Sequence, residues 1–316
     1  MIVVGGEALV DLVPAAPVES TVDAALAPLR PMPGGGPYNV AITVGRLGDP
    51  VRFLSRLSTD GFGDALLRRL RMSNVDVSMV QRGPEPTTLA VAGIGPDGSA
   101  RYSFHVEGTA DRLVSDPGEL PAEVTTLSLG TLSLLLEPGA STYETMLRRH
   151  ARRVGLTVLD PNIRPVLVSD PDAHRARFVR WLPDIGLLKL SAEDARWLGE
   201  LGDGEPVEPL VRAWLSKGPA AAVLTRGAAG LAVLTAGGEQ VEVPAAPAVV
   251  VDTIGAGDTV HGALLHWLHG RGISATAALP AVSAVDWKEA LSFAARAAAV
   301  TVSRAGAEPP YLQEIM

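Results

Sequence analysis

The stretch Asp252-Thr253-Ile254-Gly255-Ala256-Gly257-Asp258-Thr259 places two carboxylates and two glycines between Val249 to Val251 and an amphipathic run of helical period. Glycines at these positions let backbone N–H groups turn inward, and the N-terminus of the following helix adds partial positive charge, so the loop suits an anion. Asp258, at the head of that helix, is ionised at neutral pH and can accept a hydroxyl proton as a phosphoryl group arrives. A lone aspartate before a helix is an ordinary cap. The paired glycines and second aspartate set this stretch apart.

A second glycine-rich stretch, Pro33-Gly34-Gly35-Gly36-Pro37-Tyr38-Asn39, runs directly into the helical pattern VAITVGRLG. It permits close backbone approach to a ligand, and Asn39 offers both a donor and an acceptor to a polyol. Asp160-Pro161-Asn162-Ile163-Arg164 follows a strand, and the Arg164 fork can reach a phosphate or sugar oxygen. Thr225 to Gly230 joins two strands and suits either nucleotide phosphates or a plain hairpin loop. The run Gly93 to Gly98 fits GxGxxG but lies inside a hairpin pattern with no helix after it, so it is rejected as a dinucleotide fingerprint. No Walker A sequence occurs. His261, His266 and His269 share one helix, and with no accompanying carboxylate in the pattern they read as surface or core residues rather than metal ligands.

These residues need a framework. Short β-branched runs alternate with Ala/Leu/Arg-rich stretches of helical period, the pattern of βαβ units around a mostly parallel sheet. Strands are expected at Ile2–Val4, Val51–Ser55, Thr126–Leu129, Thr157–Leu159, Ile185–Lys189, Ala222–Thr225 and Leu231–Leu234. Helices are expected at Asn39–Leu47, Gly63–Met72, Tyr143–Val154, Ala192–Leu198, Glu208–Lys217, Thr259–His269 and Trp287–Val300. Ligands gather at the C-terminal edge of such sheets. Two segments break the rhythm, the proline-punctuated 12–33 and the hairpin-like 87–110 with Pro96-Asp97-Gly98 at its tip. Both are assigned to a small β lid that would keep water from the reaction. The 316 residues thus read as one α/β domain with lid segments inserted.

The formal charge of -8 excludes the clustered basic face that a nucleic acid demands. No apolar run approaches the length of a membrane helix, and the N-terminal residues carry Glu7 and Asp11 within their apolar stretch, unlike a signal peptide. Without cysteine there is no disulfide framework or thiolate chemistry, and the cytoplasm is the expected compartment.

Taken together, the two glycine signatures, about 220 residues apart and in this order, resemble those of the ribokinase-like, or phosphofructokinase-B-type, carbohydrate kinases. Similar segments run along the whole chain: GEALVDL, STDGFGDALLRRL, DPNIRP, KLSAED, LTRGAAG and ARAAAVTVSRAGA. The resemblance implies a Rossmann-like, mostly parallel sheet flanked by helices with a β-sheet lid, ATP with Mg2+ as phosphoryl donor, and a sugar hydroxyl as acceptor. It places Asp258 as catalytic base and Gly255, Ala256 and Gly257 as the anion hole. Asp11, Gly34, Gly35, Asn39 and Arg164 would bind the sugar, while Thr225, Gly227, Gly230 and Asp194 would bind the nucleotide. A K+ site would lie near Asp252, Arg304 and Gly306.

Two departures accompany the resemblance. Where relatives have Asn-x-x-Glu, this chain has Ser191-Ala192-Glu193-Asp194, which keeps polarity but shortens reach in the metal shell. Near the adenine pocket Ala295 replaces an asparagine, leaving apolar contact. Gly6 to Leu12 and Glu107 to Asp111 look most like fructokinases, so fructose is the expected sugar and a homodimer through the lid the expected assembly. 2-Keto-3-deoxygluconate kinase and ribokinase remain alternatives, as does a non-catalytic sugar- or nucleotide-binding regulator.

Overall fold

The computed structural model describes residues 1–15, 28–94 and 100–316. Among these, the strands in chain order are β1 (Ile2–Gly5), β2 (Leu9–Pro14), β3 (Leu29–Gly34), β4 (Val51–Ser58), β5 (Val80–Gly83), β6 (Leu89–Ile94), β7 (Ala100–His105), β8 (Thr126–Gly130), β9 (Leu156–Asp160), β10 (Leu187–Ser191), β11 (Ala221–Thr225), β12 (Leu231–Thr235) and β13 (Gln240–Val243). The helices are α1 (Gly36–Arg46), α2 (Gly61–Met72), α3 (Gly139–Ala151), α4 (Pro171–Trp181), α5 (Ala192–Gly199), α6 (Glu208–Leu215), α7 (Ala256–Gly270) and α8 (Ala284–Val302).

Nine strands form one sheet in the order β13-β12-β11-β10-β9-β8-β1-β4-β5, parallel from β5 to β11, with β12 and β13 added antiparallel. Period-two alternation sorts its side chains. Ile2 and Val4 of β1, Leu156 and Val158 of β9, and Leu187 of β10 enter one core with residues of α1, α2, α7 and α8. Val3, Leu159, Leu188 and Leu190 point the other way, into a second core with α3 to α6. Burial on both faces explains why these strands are near-continuous apolar runs.

All seven expected strands and seven expected helices are present with shifted ends; Ile185–Lys189, for example, becomes Leu187–Ser191. The reading missed α4, although Asp170 accepts from Ala173 N, Pro171 opens the helix, and His174, Phe178 and Trp181 form its buried stripe.

A smaller sheet, ordered β3-β2-β6-β7, stands apart from the large one. It is built from the two rhythm-breaking segments. Segment 12–33 is not irregular at its ends, because β2 and β3 pair from Leu9↔Gly34 to Pro14↔Leu29. Pro31 and Pro33 lie on an edge strand, where a missing N–H costs least. β6 and β7 form the expected antiparallel pair; the Pro96-Asp97-Gly98 tip and the last four residues of the Gly93 to Gly98 run lie outside the described residues. Leu9, Ala90 and Leu132 make a small core beneath this sheet, with Phe104 packed on it. Among the described residues no helix is long and apolar enough to cross a membrane.

Candidate active site

A cavity of about 1300 Å³ opens where the C-terminal ends of β10 and β11 meet the lid sheet and the start of α7. Asp11, Gly35, Asn39, Arg164, Asp194, Thr225, Gly227, Gly230, Gly255, Ala256, Gly257 and Asp258 all line it, so the structure gathers most of the expected residues into one place. Gly34, Asp252, Arg304 and Gly306 do not line it. Gly34 ends β3 with the Asp11 carboxyl folded over it, and a Cβ there would stand 2.1 Å from Asp11 Oδ2.

The floor is the start of α7. Gly255, the residue before the helix, has φ 77°, and a Cβ on it would meet Ala307 at 2.6 Å. Both observations require glycine there. The loop is pinned from behind by Asp252, whose two oxygens accept from Ile254 N (3.0 Å) and Gly306 N (2.8 Å). The expected cation-site residues Asp252 and Gly306 are therefore in contact, while the Arg304 guanidinium is turned to Glu314. Helix geometry leaves the first-turn N–H groups of Gly257 and Asp258 without carbonyl partners in the helix, and both residues line the cavity.

Asp258 is buried, and Asn39 Nδ2 donates to its Oδ2 at 2.9 Å. Its Oδ1 points toward Gly36, where a Cβ would stand 3.4 Å away. Burial pushes the Asp258 carboxyl above its ordinary range, while the Asn39 hydrogen bond and the Lys189 ammonium pull it back. The other amide atom, Asn39 Oδ1, is buried without a hydrogen-bond partner among the described residues. Asn39 reaches this place because Gly35, at φ 109°, turns the chain from β3 into α1, and a Cβ on it would strike the Glu7 carbonyl at 2.7 Å. Asp11, on the lid wall, is raised to about 6 by burial, opposed by Arg164 and reinforced by Asp258 and Asp252. Arg164 is exposed at the mouth, with its guanidinium on the carbonyls of Asn162 and Ile163.

Asp194 does two structural jobs. Oδ2 completes a capping box with Ser191, and Oδ1 accepts from Ile163 N at 2.7 Å, fixing the turn that carries Arg164. The Thr225 to Gly230 segment is a hairpin loop between antiparallel β11 and β12, and Thr225, Gly227, Ala228 and Gly230 line the cavity. Ala245, Ala246, Ala248, Ala295, Ala298 and Val302 give the cavity an apolar stretch of lining. Val249 to Val251, ahead of the loop, form no strand and are largely exposed.

Several participants escaped the sequence reading. Glu7 lies buried under the glycine turn, accepting from Gly36 N (3.2 Å), Ser133 N (3.0 Å) and the Thr131 hydroxyl. Burial raises its carboxyl to about 8. Lys189, buried on β10, binds Asp160 at 2.7 Å beside the anion loop. The histidine reading needs a correction as well. A carboxylate does accompany two of them, since Asp49 receives Nδ1 of both His266 (2.5 Å) and His269 (2.9 Å). Asp49 was invisible because it sits over 200 residues away, after α1. His261 is buried against Ser128. Among the described residues no group of three or more His, Cys, Asp or Glu is placed to hold a metal.

Asp258, the Gly255 to Gly257 loop and the small sheet meet around one cavity, and the chain is a phosphotransferase that acts on a sugar hydroxyl. The family profile described as pfkB family carbohydrate kinase matches residues 1–314, and the chain belongs to that family. It is 38% identical over 269 residues to a fructokinase of Rhizobium leguminosarum bv. trifolii, covering 84% of this chain and 78% of the relative. It is 32% identical to a fructokinase of Klebsiella pneumoniae over 85% of this chain and 84% of that one. The fold superposes on fructokinase from Xylella fastidiosa with bound ATP at a TM-score of 0.88, with 26% identity over 99% of this chain and 96% of that one. Aminoimidazole riboside kinase from Salmonella enterica gives 0.80 at 25% identity, with 99% and 98% covered.

Proposed function

We propose that the chain is an ATP-dependent fructokinase in which Asp258 is the catalytic base. The observation that carries this reading is the buried Asp258 carboxyl, tied by Asn39 through Oδ2 and lining the cavity beside the Gly255 to Gly257 loop. The acceptor hydroxyl gives its proton to Asp258 Oδ1 as its oxygen bonds to the γ-phosphorus. The bond from that phosphorus to the bridging oxygen breaks, and its electron pair leaves with ADP. The N–H groups of Gly255 and Gly257 stabilise the charge in flight, on a turn that Ala256 closes by donating to the Thr253 carbonyl at 3.3 Å. Asp11, Gly35 and Asn39 hold sugar hydroxyls, and Arg164 closes on the sugar or the phosphate. Gly34 serves indirectly by seating Asp11.

Thr225, Gly227 and Gly230 flank the triphosphate, and the alanine-lined end of the cavity takes the base. Support for ATP comes from the ATP-bound Xylella fructokinase, which shares the fold. Magnesium carried on a triphosphate needs only one or two protein carboxylates. Glu193 and Asp194 on the cavity wall are the residues that would hold it, and the ion would neutralise phosphate charge. K+ would sit by the Asp252 and Gly306 contact. We read residues 1–316 as one kinase domain with the lid inserted, working in the cytoplasm and pairing through the lid into a homodimer, which a solution mass would check.

The test is ADP release from magnesium-ATP across fructose, ribose, 2-keto-3-deoxygluconate, tagatose and adenosine. Preferential turnover of fructose supports the assignment. Turnover of another acceptor reassigns the substrate, and binding of ATP or sugar without turnover by any acceptor refutes the kinase reading.

A further inference from the structure

The period-two pattern that fills the core breaks at the ends of two neighbouring strands. On β9, Leu156 and Val158 face the core beneath α7, and the next residue on that face is Asp160. On β10, Leu187 faces the same core, and the next residue is Lys189. Where packing alone calls for two apolar side chains, the chain buries a carboxylate and an ammonium, each 3% exposed or less, joined at 2.7 Å. A buried pair of this kind rarely improves stability over an apolar pair, so its retention has another cause.

The surroundings indicate one. Lys189 carries three donors, and among the described residues its one acceptor is Asp160 Oδ2. The ammonium lines the cavity and lies against the anion loop, with Nζ 3.1 Å from where a Cβ of residue 257 would stand. Asp160 is backed by His261, whose Nδ1 lies 3.6 Å from Oδ2 and whose Nε2 meets Ser128 Oγ at 3.0 Å. Asp160 thus fixes the Lys189 ammonium beside the loop, with donors unspent.

We infer that Lys189 is a further catalytic residue, donating to the non-bridging oxygens of the γ-phosphoryl group as it passes from ADP to the sugar, with Asp160 and His261 as its positioning residues. Lys189 keeps its protons throughout; the hydroxyl proton goes to Asp258 and the electron pair of the broken bond to ADP. Asp160 and neighbouring Asp258 and Asp194 favour the charged amine against the cost of its burial. The ammonium in turn favours ionised Asp258, alongside Asn39 and Arg164 and against Asp160.

This rests on the kinase reading, and the experiment separates the two. Steady-state kinetics with magnesium-ATP and the best acceptor are compared for wild type, Lys189→Met and the double variant Lys189→Met/Asp160→Asn, which leaves no orphaned buried charge should the single variant fail to fold. A wild type inactive with every sugar refutes the kinase reading instead. With wild type active, both variants are expected to lose at least ~100-fold in kcat, with the sugar KM within about threefold. The acid limb of kcat/KM for Lys189→Met moves to higher pH, because the lost ammonium no longer favours ionised Asp258; the kcat loss is the readout that assigns the contact with the phosphoryl group. A folded double variant with kcat within about threefold of wild type, or a loss confined to the sugar KM, overturns the inference.

Discussion

Asn39 Nδ2 donates to Asp258 Oδ2 at 2.9 Å, a buried contact that joins the first turns of α1 and α7 across 219 residues of chain. It links the two glycine signatures physically: one supplies the proposed base, the other the hydrogen bond that holds its carboxyl. Asn39→Ala removes a donor to a buried carboxylate, so kcat/KM should fall by about 10- to 100-fold. Burial already raises the Asp258 carboxyl, and losing this donor raises it further. The acid limb of the pH profile therefore moves to higher pH; an unmoved limb would contradict the pairing.

Glu7 makes stability depend on pH in a defined direction. Its carboxyl sits at about 8 in the folded chain against an ordinary 4.5. The unfolded chain ionises above 4.5 while the folded one keeps the proton, so this contribution is full at lower pH and is lost as pH climbs to about 8. Glu7→Gln should flatten the decline of Tm across that window, as read by thermal melts at stepped pH. Parallel curves for the two proteins would refute a neutral Glu7.

Gly255→Ala tests the shape of the anion loop. The added Cβ is strained at φ 77° and meets Ala307 at 2.6 Å. The variant should lose about 1–2 kcal/mol of stability and at least ~10-fold in kcat. Gly270→Ala, with open space around the new Cβ, serves as the control and should leave kcat unchanged.

Asp194→Ala removes a capping-box partner and the acceptor for Ile163 N. A loss of about 1 kcal/mol, or roughly 1–2 °C in Tm, is expected. If Asp194 also helps hold the metal, the magnesium concentration that gives half-maximal rate rises in the same variant. A Tm loss with no change in magnesium dependence would assign the residue to structure alone.

Much of this arrangement is legible in the sequence because it is local. Leu156, Val158 and their neighbours alternate faces within single strands, and the glycines around Asp258 lie within three residues of it. What escaped is tertiary. Lys189 reads as one residue in an apolar strand until Asp160, from the preceding strand, and Gly257, from a distant helix, are seen beside it. Asp49 meets its histidines only because α1 packs on α7. Glu7 looked like a charge that interrupts a leader-like stretch, whereas it is buried under the glycine turn. Helix α4 is different: its cap, its first-turn proline and its buried stripe were all in the sequence, hidden by a high density of charge.

The central claim, that Asp258 takes the proton from the acceptor hydroxyl, is tested most directly by Asp258→Asn, which keeps the shape and removes the base. Initial rates of ADP release from magnesium-ATP with fructose should show kcat reduced by at least ~100-fold, with both KM values within a few-fold of wild type. A folded Asp258→Asn variant that turns over within about threefold of wild type would contradict the account.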